Sequence, residues 1–444
     1  MFQSQAEKVK TGFWSLNPDK FSYLLFYLLI LFLPTQLGKH FWPDFSYVYG
    51  LRLDYLSPTL YVTDILVILL FISFLPNLKK ELLRIKTKNL FLFSLFVLTL
   101  FLGALFSKNM LAALFGLLKI LEFSFLIFFV SVNFKKLNRF YLFLLIFTGI
   151  VFESILAAVQ FINQSSLGGV FYFFGERSFN GLTPGIANAS INGALILRPY
   201  GTFSHPNVLA GFLVIYMLLL LYFYKNKKLL NVLIFSGFVL GFLALMLTLG
   251  RIAILSFLFC LILLFGNLIF KKYKNRKTNV RIGKKVLLSS VLLIIVIFIL
   301  LNGIIVPRFL QTTLSDRSLV QREQLMVQAL NMFRSSPMFG VGINNFYMNI
   351  NFQKEKNQVF LIQPVHNIFL LALSETGLAG FMFIIYVFYR ALILTKNNKS
   401  LGPIIFLSLL SIIAIGMFDH YFFTLQQGQL LTSVVLGLAF SKKT

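Results

Sequence analysis

Apolar runs close to the thickness of a bilayer recur along the whole chain, separated mostly by short polar connections. A hydrocarbon core of about 30 Å takes about 20 residues of helix to cross. The pattern predicts twelve spans, at about 21–37, 59–75, 89–106, 110–133, 139–163, 206–224, 229–248, 251–270, 286–306, 366–390, 402–418 and 424–440. A helix satisfies its own backbone hydrogen bonds in lipid, where irregular chain cannot. The expected fold is therefore an all-α polytopic membrane protein, with residues 1–444 as a single transmembrane domain. The first twenty residues are too polar for a signal-peptide core, so the first span is expected to stay as an anchor. The aromatic stretch from His40 to Pro58 is expected to lie in the interface or to re-enter it.

Two connections are long, 164–205 and 307–365. The second carries a surface-helix signal at about 318–334, where Met326, Ala329, Leu330 and Phe333 form an i, i+3, i+4, i+7 stripe and Pro337 follows the end. Arg322 falls one turn before Met326, on that stripe. An arginine facing the membrane is costly unless it meets an anion or lipid headgroups.

Composition fits this picture: 58% of the 444 residues are hydrophobic and only 12% are charged, about half the charge density of a soluble domain. A soluble globular enzyme is excluded. The formal net charge of +26 would suggest nucleic acid in a soluble chain, but its placement argues otherwise. With the termini and alternate connections on one side, 27 of the 40 Lys and Arg fall there and 12 on the other. By the positive-inside rule the first side is cytoplasmic, the net charges being +24 and +5. The basic run at 271–285 is then a topology and anionic-lipid signal, not a nucleic-acid patch. Both long connections fall outside, and 164–205 and 307–365 become extracytoplasmic loops. A single cysteine, Cys260, rules out a disulfide framework and a paired-cysteine zinc site. No phosphate-binding G-x-x-x-x-G-K-[ST] loop occurs, so ATP is not the direct energy source.

Four clusters sit at the predicted outer face: RPYGTFSHPN at 198–207, TLGR at 248–251, Arg322 followed by PMFGVGINNF at 337–346, and HNIFLLALSETGLAG at 366–380. Arg198, Arg251 and Arg322 are permanently charged, fork-shaped donors suited to phosphate or diphosphate. His366 titrates near neutrality and can take a proton from a hydroxyl. Gly340 and Gly342 suit a tightly folded turn, and His205 and Asn367 stand at the starts of spans. No D-x-D or H-x-H arrangement offers a metal site. Taken one at a time these residues have plainer readings: headgroup anchoring for Arg251, a solvated role for Arg198 and Arg308, a capping role for His366. Together they fit transfer from a phosphorylated lipid. Lys119 and Glu122, three apart in the fourth span, read most simply as an intramembrane ion pair, with a relay through Glu153 or Asp64 as the alternative.

In this order the four motifs resemble the O-antigen ligase and polymerase superfamily over about 198–380, and the twelve-span layout extends the likeness along the chain. The resemblance implies a multispan glycosyltransferase of the GT-C type in the bacterial cytoplasmic (inner) membrane. Both termini would be cytoplasmic and the active site extracytoplasmic. It implies metal-independent, inverting transfer of a glycan from an undecaprenyl diphosphate donor to a hydroxyl of a glycolipid such as lipid A core, a glycan or a protein. No cofactor and no nucleic acid are implied, and membrane lipids are the remaining partners. It makes His366 the general base, with Arg251 and Arg322 holding the diphosphate. Arg198 is carried over with its motif, alongside Gly201, Thr202, Phe203, Pro206 and Asn207, and Asn367, His205, Gly340 and Gly342 become supporting residues. Ligation is preferred to polymerisation. The reading from another class is a transporter or flippase of lipid-linked sugars, working through Lys119, Glu122, Glu153 and Asp64.

Overall fold

The computed structural model describes residues 18–48, 50–224, 227–273, 295–310, 317–350, 362–396, 398 and 401–441. The start of the predicted 286–306 span and most of the basic 271–285 run lie outside these residues. So do the N-terminal residues behind the retained-anchor expectation and parts of the 307–365 loop.

The described chain is helical wherever the apolar runs fall. The helices are α1 (Pro18–Phe32), α2 (Val62–Leu82), α3 (Thr87–Leu105), α4 (Met110–Asn133), α5 (Arg139–Asn163), α6 (Pro206–Leu221), α7 (Lys228–Leu247) and α8 (Arg251–Tyr273). There follow α9 (Asn302–Leu310), α10 (Arg317–Ser335), α11 (Ile368–Thr395), α12 (Gly402–Gly416), the short α13 (Tyr421–Thr424) and α14 (Gln426–Phe440). Among them α2, α3, α4, α5, α7 and α11 are long and apolar enough to cross a membrane. The chain is a polytopic integral membrane protein.

The shorter helices show how the bundle is layered. In α6, of 16 residues, Val208–Leu221 are all buried, enclosed by α5, α7, α8, α12 and α14. Outer helices behave the opposite way: Ile68 and Ile72 of α2 and Leu118 of α4 are 50%, 54% and 62% exposed, as side chains facing lipid would be. A helix that is apolar all round needs protein on every side or lipid on every side. Here α6 takes the first solution, and its 16 residues, about 24 Å long, make the centre of the bundle shorter than its wall.

The helix ends carry their own signals. Asn109 and Asn138 cap α4 and α5 by accepting from Ala112 N (3.0 Å) and Phe140 N (2.9 Å). Midway along α4, Lys119 binds Asp64 of α2 (2.7 Å) as well as Glu122 (2.8 Å), and Gln426 of α14 donates to Thr63 (3.0 Å) and Asp64. The ion pair expected within one helix is therefore a three-helix junction.

The connections hold strands that the apolar pattern did not predict. Gly38–His40 (β1) pairs antiparallel with Thr59–Tyr61 (β4), and Tyr47–Val48 (β2) with Leu51–Arg52 (β3). The His40–Pro58 stretch thus holds one small hairpin, β2–β3, with the β1–β4 pair closing its base. In the 164–205 loop, Asn188–Ile191 (β5) pairs with Ala194–Leu197 (β6), after a 3-10 turn at Gly169–Phe174. Strands of two to four residues give period-2 signals too short to stand out beside twenty-residue apolar runs.

The predicted stripe on α10 needs correcting. Met326 and Leu330 are 40% and 39% exposed, and the buried face is Leu325, Ala329 and Met332, packed towards α11. The helix is rotated by about one residue, 100°, from the expected face. Arg322 stays on the inward side, since it precedes Leu325 by three and Ala329 by seven.

Candidate functional site

The 198–207 segment dips into the bundle onto polar side chains of α5. Gln160 Oε1 accepts from Tyr200 N (2.9 Å) and Gly201 N (2.8 Å), and Gln160 Nε2 donates to Glu176 Oε1 (2.7 Å). Glu153 accepts from Thr202 N (3.0 Å) and the Thr202 hydroxyl (2.6 Å). Gly201 has φ +59°, and a Cβ there would lie 2.2 Å from Glu153 Oε2, so glycine is needed for both backbone and space. The segment then turns into α6, with Pro206 in the first turn and His205 as N-cap, its Nδ1 accepting from Asn207 N (3.1 Å).

Arg198 ties this segment to the TLGR turn. Its Nε donates to Thr248 O (2.7 Å) and one Nη to Asn207 Oδ1 (2.6 Å). Leu249 is held in the left-handed region at φ +52°, which a branched residue adopts only under constraint from its surroundings. With Gly250 N bound to Thr248 Oγ1 (3.2 Å), α8 starts at Arg251, and the N–H groups of its first turn have no partners within the helix.

The other side of the site is built on α10, α11 and the turn after α12. Asn367 caps α11 by accepting from Phe369 N (2.9 Å) and Leu370 N (3.0 Å), and its Nδ2 donates to Met417 O (3.0 Å). Arg322 donates to Phe418 O (3.2 Å). Asp419 accepts from Asn207 Nδ2 (2.8 Å) and from His420 N (2.8 Å). The 417–420 turn is thus gripped by α6, α10 and α11 together.

Gly340 and Gly342 act further along α11. That helix breaks at Gly377 (φ 61°, ψ −169°), and PMFGVGINNF supplies the missing hydrogen bonds. Val341 N donates to Ser374 O (2.9 Å) and Gly342 N to Glu375 O (3.0 Å), while Leu378 N donates to Pro337 O (2.8 Å). A Cβ on Gly340 would lie 2.4 Å from the Glu375 carbonyl carbon.

One cavity of about 2360 Å³ gathers the charged groups. Arg198, His205, Arg251, Arg322 and His366 all line it, so the four sequence clusters meet through these side chains. Asn367, Gly340 and Gly342 do not line it and hold the backbone that does. Sequence reasoning did not single out Asp419 or His420, carried Asn207 only as part of its motif, and set Arg308 aside as solvated, yet all four line the cavity. The available signal was Asp419–His420 itself, a charged pair between two apolar runs at the predicted outer face.

The electrostatics follow from burial. Desolvation, reinforced by Arg322, lowers His366 below the ordinary imidazole value, although Asp419 pulls it back up. Burial and then the Arg198 charge push His205 down to about 3, and burial does the same to His420. Burial alone would raise Asp419, but the three surrounding imidazoles and the Asn207 amide outweigh it, and the carboxylate is held down at about 2. Burial and the neighbouring Arg308 lower Arg198 to about 9, which leaves it charged at neutrality.

Near neutral pH the site thus holds neutral imidazoles and an ionised aspartate among guanidinium groups. Among the described residues His366 makes no side-chain hydrogen bond, and its Nδ1 is buried without a partner. No group of three or more His, Cys, Asp or Glu is arranged to hold a metal ion among those residues.

Residues 236–385 match the family model described as O-antigen ligase. The match runs from within α7 into α11 and includes Arg251, Arg322, Gly340, Gly342, His366 and Asn367. Arg198, His205 and Asp419 lie outside it and join the site through the fold. No curated protein in the comparison matches the chain.

Proposed function

We propose, from the match of residues 236–385 to the O-antigen ligase family model, that the chain transfers a glycan from a polyprenyl diphosphate donor to a hydroxyl acceptor at the extracytoplasmic face of the bacterial inner membrane. In this reading the chain crosses the membrane twelve times with both termini in the cytoplasm. The observation that carries the proposal is the His366 imidazole, its Nδ1 buried without a hydrogen-bond partner, in a cavity it shares with Arg251, Arg322 and the start of α8.

His366 takes the proton from the acceptor hydroxyl as its oxygen attacks the anomeric carbon. The new glycosidic bond forms on the face opposite the breaking bond to the diphosphate, so the configuration inverts. The departing diphosphate gains negative charge, which Arg251, Arg322 and the N-terminal end of α8 stabilise. Such charge stabilisation does the work a divalent cation does in metal-dependent transferases. Arg198 fixes the turn that presents Arg251, since two of its donors are bound to Thr248 and Asn207. Asp419 orients Asn207 and raises the basicity of His366 against its burial.

The test is product analysis in reconstituted vesicles with a defined lipid-linked donor. A single transferred block identifies a ligase, and a ladder on the lipid carrier a polymerase. His366→Ala is expected to lower the rate by about 10²–10⁴, the usual contribution of a positioned base, with donor binding intact and EDTA without effect on the parent. Arg251→Lys and Arg322→Lys keep the charge but lose the two-pronged fork, and are expected to weaken donor use. Full activity in His366→Ala removes the general-base role, and unchanged kinetics in both lysine variants removes the clamp.

A further inference from the structure

The cavity extends past the arginines to a wall of different chemistry, which the transfer reading above leaves without a task. This wall comes from the hairpin region after α1, with Asp54, Tyr55 and the β1–β4 pair on one side and Tyr172 and Arg177 of the 164–205 loop on the other. Gln36 Nε2 joins the two sides by donating to Gly175 O (3.2 Å).

Tyr55 couples the wall to the reaction centre. Its ring stacks on Tyr347 (centroids 5.4 Å apart, 18° between planes) and meets His420 edge-on at 5.7 Å, and His420 in turn lies 5.1 Å from His366. Burial, Asp419 and Asp54 all push the Tyr55 phenol upward, so it stays a neutral hydrogen-bond donor beside two carboxylates. Asp54 is more exposed than Asp419, which lines the same cavity, and its carboxylate makes no hydrogen bond among the described residues.

The combination selects the ligand chemistry. A free carboxylate repels a diphosphate and accepts from paired hydroxyls, while aromatic faces take the C–H faces of a pyranose ring. The diphosphate belongs with the arginines, and the Asp54 wall suits a neutral polyol held next to the base. We propose that Asp54 and Tyr55 form an acceptor subsite, binding the sugar ring whose hydroxyl gives its proton to His366. The proposal deepens the glycan-transfer reading and rests on it.

The experiment is saturation-transfer NMR on the full chain in nanodiscs, with the methyl glycosides of glucose, galactose and N-acetylglucosamine as probes and farnesyl diphosphate as the occupant of the arginine site. At least one glycoside is expected to receive magnetisation, and to keep receiving it when farnesyl diphosphate is saturating. Asp54→Ala, an exposed substitution, is expected to weaken that binding about tenfold or more, the loss typical of a charged hydrogen bond. Tyr55→Leu is expected to weaken it as well, with farnesyl diphosphate binding unchanged in both variants. No transfer to any of the three glycosides, or full transfer in both variants, overturns the subsite. Displacement of the glycoside by farnesyl diphosphate overturns the acceptor assignment, because the wall would then serve the donor. Failure of the parent to bind farnesyl diphosphate would count against the transfer reading itself, and is read in a separate arm.

Discussion

Replacing Asp419 by asparagine tests the electrostatic account of the base. The carboxylate accepts from Asn207 Nδ2 and from His420 N, each at 2.8 Å. An asparagine offers one acceptor oxygen and one NH2 group, so one of these donors must face another donor. Leaving a buried donor unsatisfied costs about 1–3 kcal/mol, which should appear as a lower melting temperature. The larger lesson is in the pH profile. Asp419 raises the basicity of His366 against burial and Arg322, and an opposite charge at close range moves a titrating group by about 1–3 pH units. Transfer by the parent should fall as pH drops through the His366 titration, since only the neutral imidazole accepts a proton. In Asp419→Asn that acid limb should move to lower pH, while the plateau rate falls several-fold because the base is weaker. The assay is the initial rate at saturating donor from neutral pH downward. An acid limb that stays in place or moves to higher pH would refute this account of His366.

Three further expectations follow from other parts of the fold. Gly340→Ala should destabilise the protein by well over 1 kcal/mol, since φ is +69° and its Cβ would overlap α11, whereas Gly266→Ala, with open space around it, should be neutral or slightly stabilising; equal melting temperatures for the two would contradict the role given to the PMFGVGINNF crossing. His205 and His420 are held at about 3 in the folded state against 6.5 unperturbed. The unfolded chain therefore binds more protons between those values, and stability should fall as pH falls through that window; a melting temperature that rises on acidification would show the sign to be wrong. Lys119→Met strips the cation from two buried carboxylates and should cost about 3–5 kcal/mol, with Glu122→Gln milder because the Lys119–Asp64 pair survives; parent-like stability in Lys119→Met would dismiss the junction.

The helices were legible because each apolar run is long compared with the precision of its edges. Arg251, Arg322 and His366 were legible because charge stands out against an apolar background, and the fold does bring them into one cavity. The face of α10 was misread by one residue because Met326 and Leu330 are as apolar as Leu325 and Met332, and hydrophobicity cannot separate a lipid-facing side from a protein-facing one. Asp419 escaped notice for another reason. Its partner Asn207 is 212 positions away, and a lone acidic residue at a helix end carries no local pattern. Gly340 and Gly342 were visible as turn glycines, but their target, the break in α11 at Gly377, exists only once two distant segments cross.

The distribution of partners among the charged groups separates the two classes of function. A path that moves protons or ions through the membrane needs side chains that can change partners, and the residues nominated for it are engaged from several directions. Glu153 accepts two hydrogen bonds from Thr202, and Asp64 and Glu122 share Lys119 across helices. These contacts shape the bundle and pin the 198–207 segment against α5. His366 Nδ1 and Glu122 Oε1 are both buried without a hydrogen-bond partner, but of the two residues only His366 lines the cavity. A buried polar atom without a partner is a cost to the fold, and at His366 that atom belongs to a residue of the cavity wall. Substrate can relieve it, as an acceptor hydroxyl donating to the imidazole nitrogen would do.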